Sequence, residues 1–240
     1  MQDKEYIGED IFSKRIKNIS LPKLEYINKQ ISERGLWIDI GCGVGEILYC
    51  SKQSGWDTLG FEVDRMEASF ARRKGIEIVE AFLDEATVLN YSSKFANAKV
   101  ISFLNVLEHF TKPGVFLSSI ANLIKKDSYV IIEVPRHPSL SSLNCTAFPE
   151  LACRHIYPPD HLHIFTEKSL GIILNQSGLK LHSIWNFGQD FYDLLSCVIS
   201  NEKNINIELA DKVLSLSNEI QEILDKEMLS DAMLVITKKI

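Results

Sequence analysis

The sequence has no apolar run of transmembrane length, which excludes a helical membrane span. It has no apolar stretch behind Met1-Gln2-Asp3-Lys4-Glu5, so no signal peptide is expected and a cytoplasmic protein is. It has five cysteines, an odd number and scattered, which excludes a disulfide framework and points to reduced thiols. It has no basic excess. The net charge is −6, which argues against a nucleic-acid partner, as these select a basic face. It has no internal repeat, no low-complexity linker and no compositional break. A single domain over residues 1–240 is expected.

An alternation of strand-like and helix-like segments is present. Residues 10–34 read as a helical N-terminal segment, with Leu24, Ile27 and Ile31 at spacings of three and four. Strands are predicted at 36–40, 58–62, 76–79, 99–104 and 129–134, with helices at 46–54, 65–74 and 115–124 between them. A helix over 167–176, a strand over 179–185 and a closing strand over 231–239 complete the series. Such alternation implies a parallel sheet of the doubly wound α/β class.

Residues 36–46 are the most informative stretch. The strand-type run Leu36-Trp37-Ile38-Asp39-Ile40 meets glycines at 41, 43 and 45. Glycine there permits a tight turn and close approach of backbone to ligand. The dinucleotide fingerprint Gly-x-Gly-x-x-Gly is missing, because Glu46 stands at its third glycine. Asp39 also argues against a pyrophosphate, since like charges repel. It suits a ligand that is cationic on that side, as S-adenosylmethionine is. About 20 residues on, Thr58-Leu59-Gly60-Phe61-Glu62 brings a second acid to a strand end. There a carboxylate accepts hydrogen bonds from vicinal ribose hydroxyls.

Asp39, Gly41, Gly43 and Gly45 resemble the acid-x-Gly-x-Gly-x-Gly motif of class I S-adenosylmethionine-dependent methyltransferases. Val106-Leu107-Glu108-His109-Phe110 and Pro158-Pro159-Asp160-His161-Leu162-His163-Ile164-Phe165-Thr166 are similar to phrases of its small-molecule and sugar-type members. The resemblance implies a mostly parallel, seven-stranded Rossmann-like sheet with an antiparallel closing strand beside the fifth. It implies S-adenosylmethionine as cofactor. The expected contacts are Asp39, Gly41, Cys42, Gly43, Gly45, Glu62, Val63, Phe82, Leu83 and Asn105, with Glu62 preferred to Asp64 for the ribose. Two places depart from the family. Phe82 stands where many members put an acid for the adenine amino group. Ala98-Lys99 replaces the usual Phe-Asp at the fourth strand, and nothing in the sequence explains that change.

Methyl transfer mainly needs nucleophile, methyl carbon and sulfur in line. An oxygen or nitrogen that starts protonated also needs a base, and histidine suits neutral pH. His161, His163 and His109 are the candidates. In an extended segment, the imidazoles of His161 and His163 point the same way. No metal is expected. Cys145, Cys153, His155, His161 and His163 lack the close spacing of a zinc site. Glu108 beside His109 reads as an acid at a helix N-terminus rather than as a magnesium ligand.

Residues 186–230 form a helical insertion where a hairpin needs only 2–5 residues. Its stripe of Leu209, Val213, Leu216, Ile220 and Ile223 reads as core packing, with a homodimer contact as the sharper alternative. The insertion is expected to roof the acceptor, with Tyr157, Gln189, Asp190 and Tyr192 as substrate residues. The Asn/Asp-Pro-Pro-Tyr/Phe motif of nucleic-acid amino-methyltransferases is missing after the fourth strand; Tyr157-Pro158-Pro159 lies elsewhere. A small polar acceptor follows, a sugar, sugar nucleotide or surface-glycan precursor methylated on oxygen. Two rivals stand beside this reading: a nicotinamide-dependent oxidoreductase on the same core, and a non-catalytic cofactor-binding subunit.

Overall fold

A computed structural model describes residues 7–150, 160–201 and 206–240. Tyr157, Cys153 and His155 lie outside the described residues. Seven strands make one sheet: β1 Leu36–Ile40, β2 Asp57–Glu62, β3 Ile78–Glu80, β4 Ala98–Leu104, β5 Tyr129–Pro135, β6 Leu179–Phe187 and β7 Ala232–Lys239. Their order is β3-β2-β1-β4-β5-β7-β6. Pairs from β3 to β5 are parallel, and β7 runs antiparallel to both β5 and β6. This is the doubly wound α/β architecture the alternation predicts.

The winding direction reverses at β1. The chain moves outward through β2 and β3, then returns to place β4 on the other side of β1. Ligands of open α/β sheets bind at the carboxyl ends of strands beside such a switch point. The glycine loop leaves β1 there, and Asn105–Phe110 leaves β4.

The central strands are apolar on both faces because helices cover both. One face packs Ile38, Ile40, Phe61 and Phe103 under helices that supply Phe95, Leu117 and Ile120. The other packs Trp37, Leu48 and Val100 against Leu24, Ile27 and Ile31 of the N-terminal segment. That segment is two α-helices, Glu9–Arg15 and Leu21–Gln30, joined by a π-turn over Ile16–Ser20. The helical reading of 10–34 holds from Glu9 to Gln30, with a π-helical stretch inside it. Pro22 is the second residue of the second α-helix. The fold adds short helices at Glu85–Asn90, Ser92–Asn97 and Leu140–Ala147, which are too short for apolar periodicity to show.

The insertion is helical, with Asp190–Asn201, Ile207–Leu214 and Ser217–Lys226. Its apolar stripe is not core packing: Leu209, Leu216 and Ile223 are 58%, 47% and 59% exposed. The stripe assumes one continuous helix, but the chain turns at Ser215 and Leu216, which splits it between two axes. Among the described residues, no helix is long and apolar enough to cross a membrane.

Candidate active site

Asp39 and Ser102 are register partners on β1 and β4, so their side chains share a face of the sheet. Ser102 donates its hydroxyl to Asp39 Oδ1 and accepts the Trp37 indole N–H at 2.7 Å. Asp39 is almost fully buried, and that burial raises its carboxyl to about 7. Directly above it, Gly41, Gly43 and Gly45 all have positive φ, a conformation that side chains resist. A Cβ on Gly41 would also come within 2.7 Å of Val106 Cγ2. The loop is thereby pressed against the segment that follows β4.

Glu62 ends β2 and ties this loop down. Its Oε2 accepts the Gly43 N–H at 2.8 Å and its Oε1 accepts the Asp64 N–H at 2.7 Å. Asp64 instead caps the next helix, accepting the N–H groups of Met66 and Glu67. Glu62 lines a cavity of about 240 Å³ with Gly41, Val63, Phe82 and Leu83. Val63 and Phe82 are 62% and 66% exposed. His109 lies on the same cavity.

Of the other expected cofactor residues, Asn105 lines a second, larger cavity of about 680 Å³. Asn105 has φ of 56°, donates its N–H to the Glu133 carbonyl and its amide to Glu133 Oε1. Asp39, Cys42, Gly43 and Gly45 line neither cavity. Cys42 points into the core, where burial pushes its thiol well above the usual range.

The larger cavity is walled by the N-terminal helices, by the ends of β5 and β6, and by the insertion. Lys23 and Glu133 make a buried ion pair in it, with Nζ 2.6 Å from Oε2. Trp185 and Phe187 present stacked rings, 4.5 Å between centroids. Sequence reasoning missed Lys23 and Glu133. A lone acid in the apolar run Val130-Ile131-Ile132-Glu133-Val134 carries the same signal that marks Asp39.

The histidines separate. His161 lines the larger cavity, and its ring sits edge-on to His109 at 4.9 Å. His163 instead packs on Phe165, with Nε2 buried and without a described partner. The expectation that both imidazoles share one face is not met at the cavity. The segment carrying them docks on the turn Leu107–His109, where the Glu108 carbonyl accepts the N–H groups of Leu162 and His163. Glu108 itself corrects the sequence reading. It does sit in the first turn of the short helix Leu107–His109, but it is 0% exposed, and neither carboxylate oxygen has a described hydrogen-bond partner. Burial raises its carboxyl to about 7.

Of the substrate candidates, Gln189 lines the larger cavity. Asp190 does not. It is fully buried and accepts from the N–H groups of Ser141 and Asp231 and from the Gln221 amide, which ties the insertion to the helix Leu140–Ala147 and to the start of β7. Burial and the neighbouring Asp231 raise its carboxyl. Tyr192 is 51% exposed and lines neither cavity.

The methyltransferase-domain family matches residues 12–184. No curated protein sequence matches the chain. Among solved structures, a SAM dependent methyltransferase from Archaeoglobus fulgidus is similar over 99% of this chain and 100% of its own, at 20% identity and a TM-score of 0.62. A cyclopropane synthase from Mycobacterium tuberculosis is similar over 98% and 88%, at 11% identity and a TM-score of 0.60. Geranyl diphosphate C-methyltransferase from Streptomyces coelicolor A3(2), solved with Mg2+, geranyl diphosphate and S-adenosyl-L-homocysteine, is similar over 100% and 88%, at 12% identity and a TM-score of 0.57. At these identities the likeness is one of fold. The family match spans the glycine loop, both acids and the histidine segment, and by it the chain belongs to the methyltransferase-domain family.

Proposed function

We propose that this methyltransferase moves the methyl group of S-adenosylmethionine to an oxygen of a small, polyhydroxylated acceptor such as a sugar or sugar nucleotide. The donor is S-adenosylmethionine. Adenosine fits the apolar pocket between Val63 and Phe82, with its ribose hydroxyls on Glu62. The methionine half then runs past Asn105 toward the larger cavity, which brings the sulfonium methyl to the seam between the two. Solved structures that share the fold were crystallised with S-adenosylhomocysteine. The family match is to methyltransferases, which removes the ground for a nicotinamide oxidoreductase.

One observation carries the acceptor class. The larger cavity is lined by a stacked aromatic pair, Trp185 and Phe187, together with Asn18, Gln189, Asn218 and Glu222. An apolar platform together with several hydrogen-bonding groups suits a ring that is apolar on its faces and hydroxylated at its edge. The fold neighbours do not narrow the class, since their names range over a cyclopropane synthase, a geranyl diphosphate C-methyltransferase and a magnesium protoporphyrin IX methyltransferase.

The test is release of S-adenosylhomocysteine with a panel of nucleotide sugars, beside fatty-acyl and prenyl diphosphate acceptors. Turnover with a sugar and none with the lipids is expected. Turnover confined to an apolar acceptor would refute the acceptor class and leave the donor site standing.

A further inference from the structure

Glu108 and His161 line the larger cavity and His109 the smaller one, and the three side chains come together. One carboxylate oxygen and one nitrogen from each imidazole all lie within 4.8 Å of one another. Two observations separate this group from an ordinary polar cluster. First, Glu108 is completely buried and both its oxygens lack a described donor. A buried carboxylate in that condition is costly unless a charge or hydrogen bond compensates it. Second, the imidazole of His109 is already oriented. Its Nδ1 stands 2.7 Å from the Asp160 carbonyl, which can only accept. Nδ1 therefore carries a proton, and Nε2 is the nitrogen whose lone pair can bind a cation. A histidine that gives one N–H to a backbone carbonyl in this way is typical of metal ligands.

The backbone fixes the third member. Because the Glu108 carbonyl receives the Leu162 and His163 N–H groups, the segment carrying His161 is pinned to the turn carrying Glu108 and His109. The three side chains thus converge from two segments about 50 residues apart, each held by backbone hydrogen bonds.

We propose that Glu108, His109 and His161 bind a divalent transition-metal cation whose open coordination positions face the acceptor cavity. Ligand atoms at about 2.0–2.2 Å from a common ion lie roughly 3.3–3.6 Å from one another, so small side-chain rotations close the present cluster. Two imidazoles and one carboxylate favour zinc, cobalt or iron over magnesium or calcium. Three protein ligands leave at least one position open, the arrangement of catalytic rather than structural sites. Glu108 and His161 both line the larger cavity, so that position opens onto it.

The chemistry of this site rests on the methyltransferase reading; its existence does not. A hydroxyl bound to the cation releases its proton to solvent water more readily. The oxygen then bonds the methyl carbon as the carbon–sulfur bond breaks, and that bond's electron pair stays on sulfur. Acceptors with a second oxygen beside the reacting hydroxyl chelate the ion and are selected by it.

The experiment strips the purified chain with a chelator and titrates it with Zn2+ and Co2+ in the absence of S-adenosylmethionine. Equilibrium dialysis counts the zinc, and visible absorption of cobalt reports its ligands. One cation per chain is expected. Affinity should fall about tenfold or more in Glu108→Gln and in His161→Ala, and should not change in His182→Ala, which lies on β6 against Tyr129. Glu108→Gln keeps the side-chain shape; should it fail to fold, His161→Ala carries the comparison alone. No stoichiometric uptake by the wild type, or uptake unaffected by either substitution, would overturn the site. A parallel titration with S-adenosylmethionine reads the donor site separately, so one result can fail without the other.

Discussion

Lys23 Nζ lies 2.6 Å from Glu133 Oε2, joining the second N-terminal helix to the middle of the sheet, and both side chains are almost completely buried. Glu133 also holds the Asn105 amide at the end of β4. The pair therefore ties the N-terminal wall of the larger cavity to the end of β4.

Lys23→Met leaves a buried carboxylate uncompensated. A loss of about 3–5 kcal/mol in unfolding free energy is expected, and Lys23→Met/Glu133→Gln should recover much of it. Urea unfolding of the wild type and both variants measures this. Equal stability of the single and double variants would show that the pair is not what holds the wall.

Asp39 predicts a pH dependence of stability. Its carboxyl is raised to about 7 by burial, against an ordinary value of 3.8. Between those values the folded chain holds a proton that the unfolded chain has lost. Its contribution is therefore complete below about pH 4, declines as pH rises, and is gone above about pH 7. The decline amounts to about 4 kcal/mol at most, since moving a titration by one pH unit is worth about 1.4 kcal/mol. Asp39→Asn removes this titration and should make the slope of unfolding free energy against pH shallower over this range without abolishing it, because Glu108, also raised to about 7, titrates in the same window. An unchanged slope in the Asn variant would assign the dependence to another group.

His161→Ala should leave the affinity for S-adenosylmethionine intact, because His161 lines the larger cavity and not the one proposed to take adenosine. Its kcat should fall by about 10²–10⁴. His161→Gln separates chemistry from loop shaping: an amide still hydrogen-bonds but neither takes the proton nor serves well as a metal ligand. Near-wild-type turnover in the Gln variant would reduce His161 to a structural role.

What the sequence shows and what it hides divide along a physical line. Strand β1, the glycine loop and Glu62 are legible because their pattern is local: apolar strand residues, glycines where φ is positive, an acid one βα unit later. Glu108 and Asp190 misled for the opposite reason. Glu108 looks like a solvated acid until the segment 160–165, some 50 residues on, docks across its carbonyl. Asp190 looks like a substrate ligand until Asp231 and Gln221 close over it. Burial of a polar side chain is decided by partners distant in sequence, and no periodicity reports them. The apolar stripe of the insertion misled through geometry, because a turn at Ser215 and Leu216 divides what reads as one helix.

The donor site is the centre of the functional assignment, and titration calorimetry with S-adenosylmethionine tests it most directly. The wild type should bind one equivalent and show no heat with NAD. Glu62→Ala should weaken binding by about 1.5–3 kcal/mol, the scale of hydrogen bonds to a charged group, roughly a 10- to 150-fold rise in Kd. Circular dichroism should confirm that the variant stays folded. No binding by the wild type, or an unchanged Kd in a folded Glu62→Ala, would contradict the assignment.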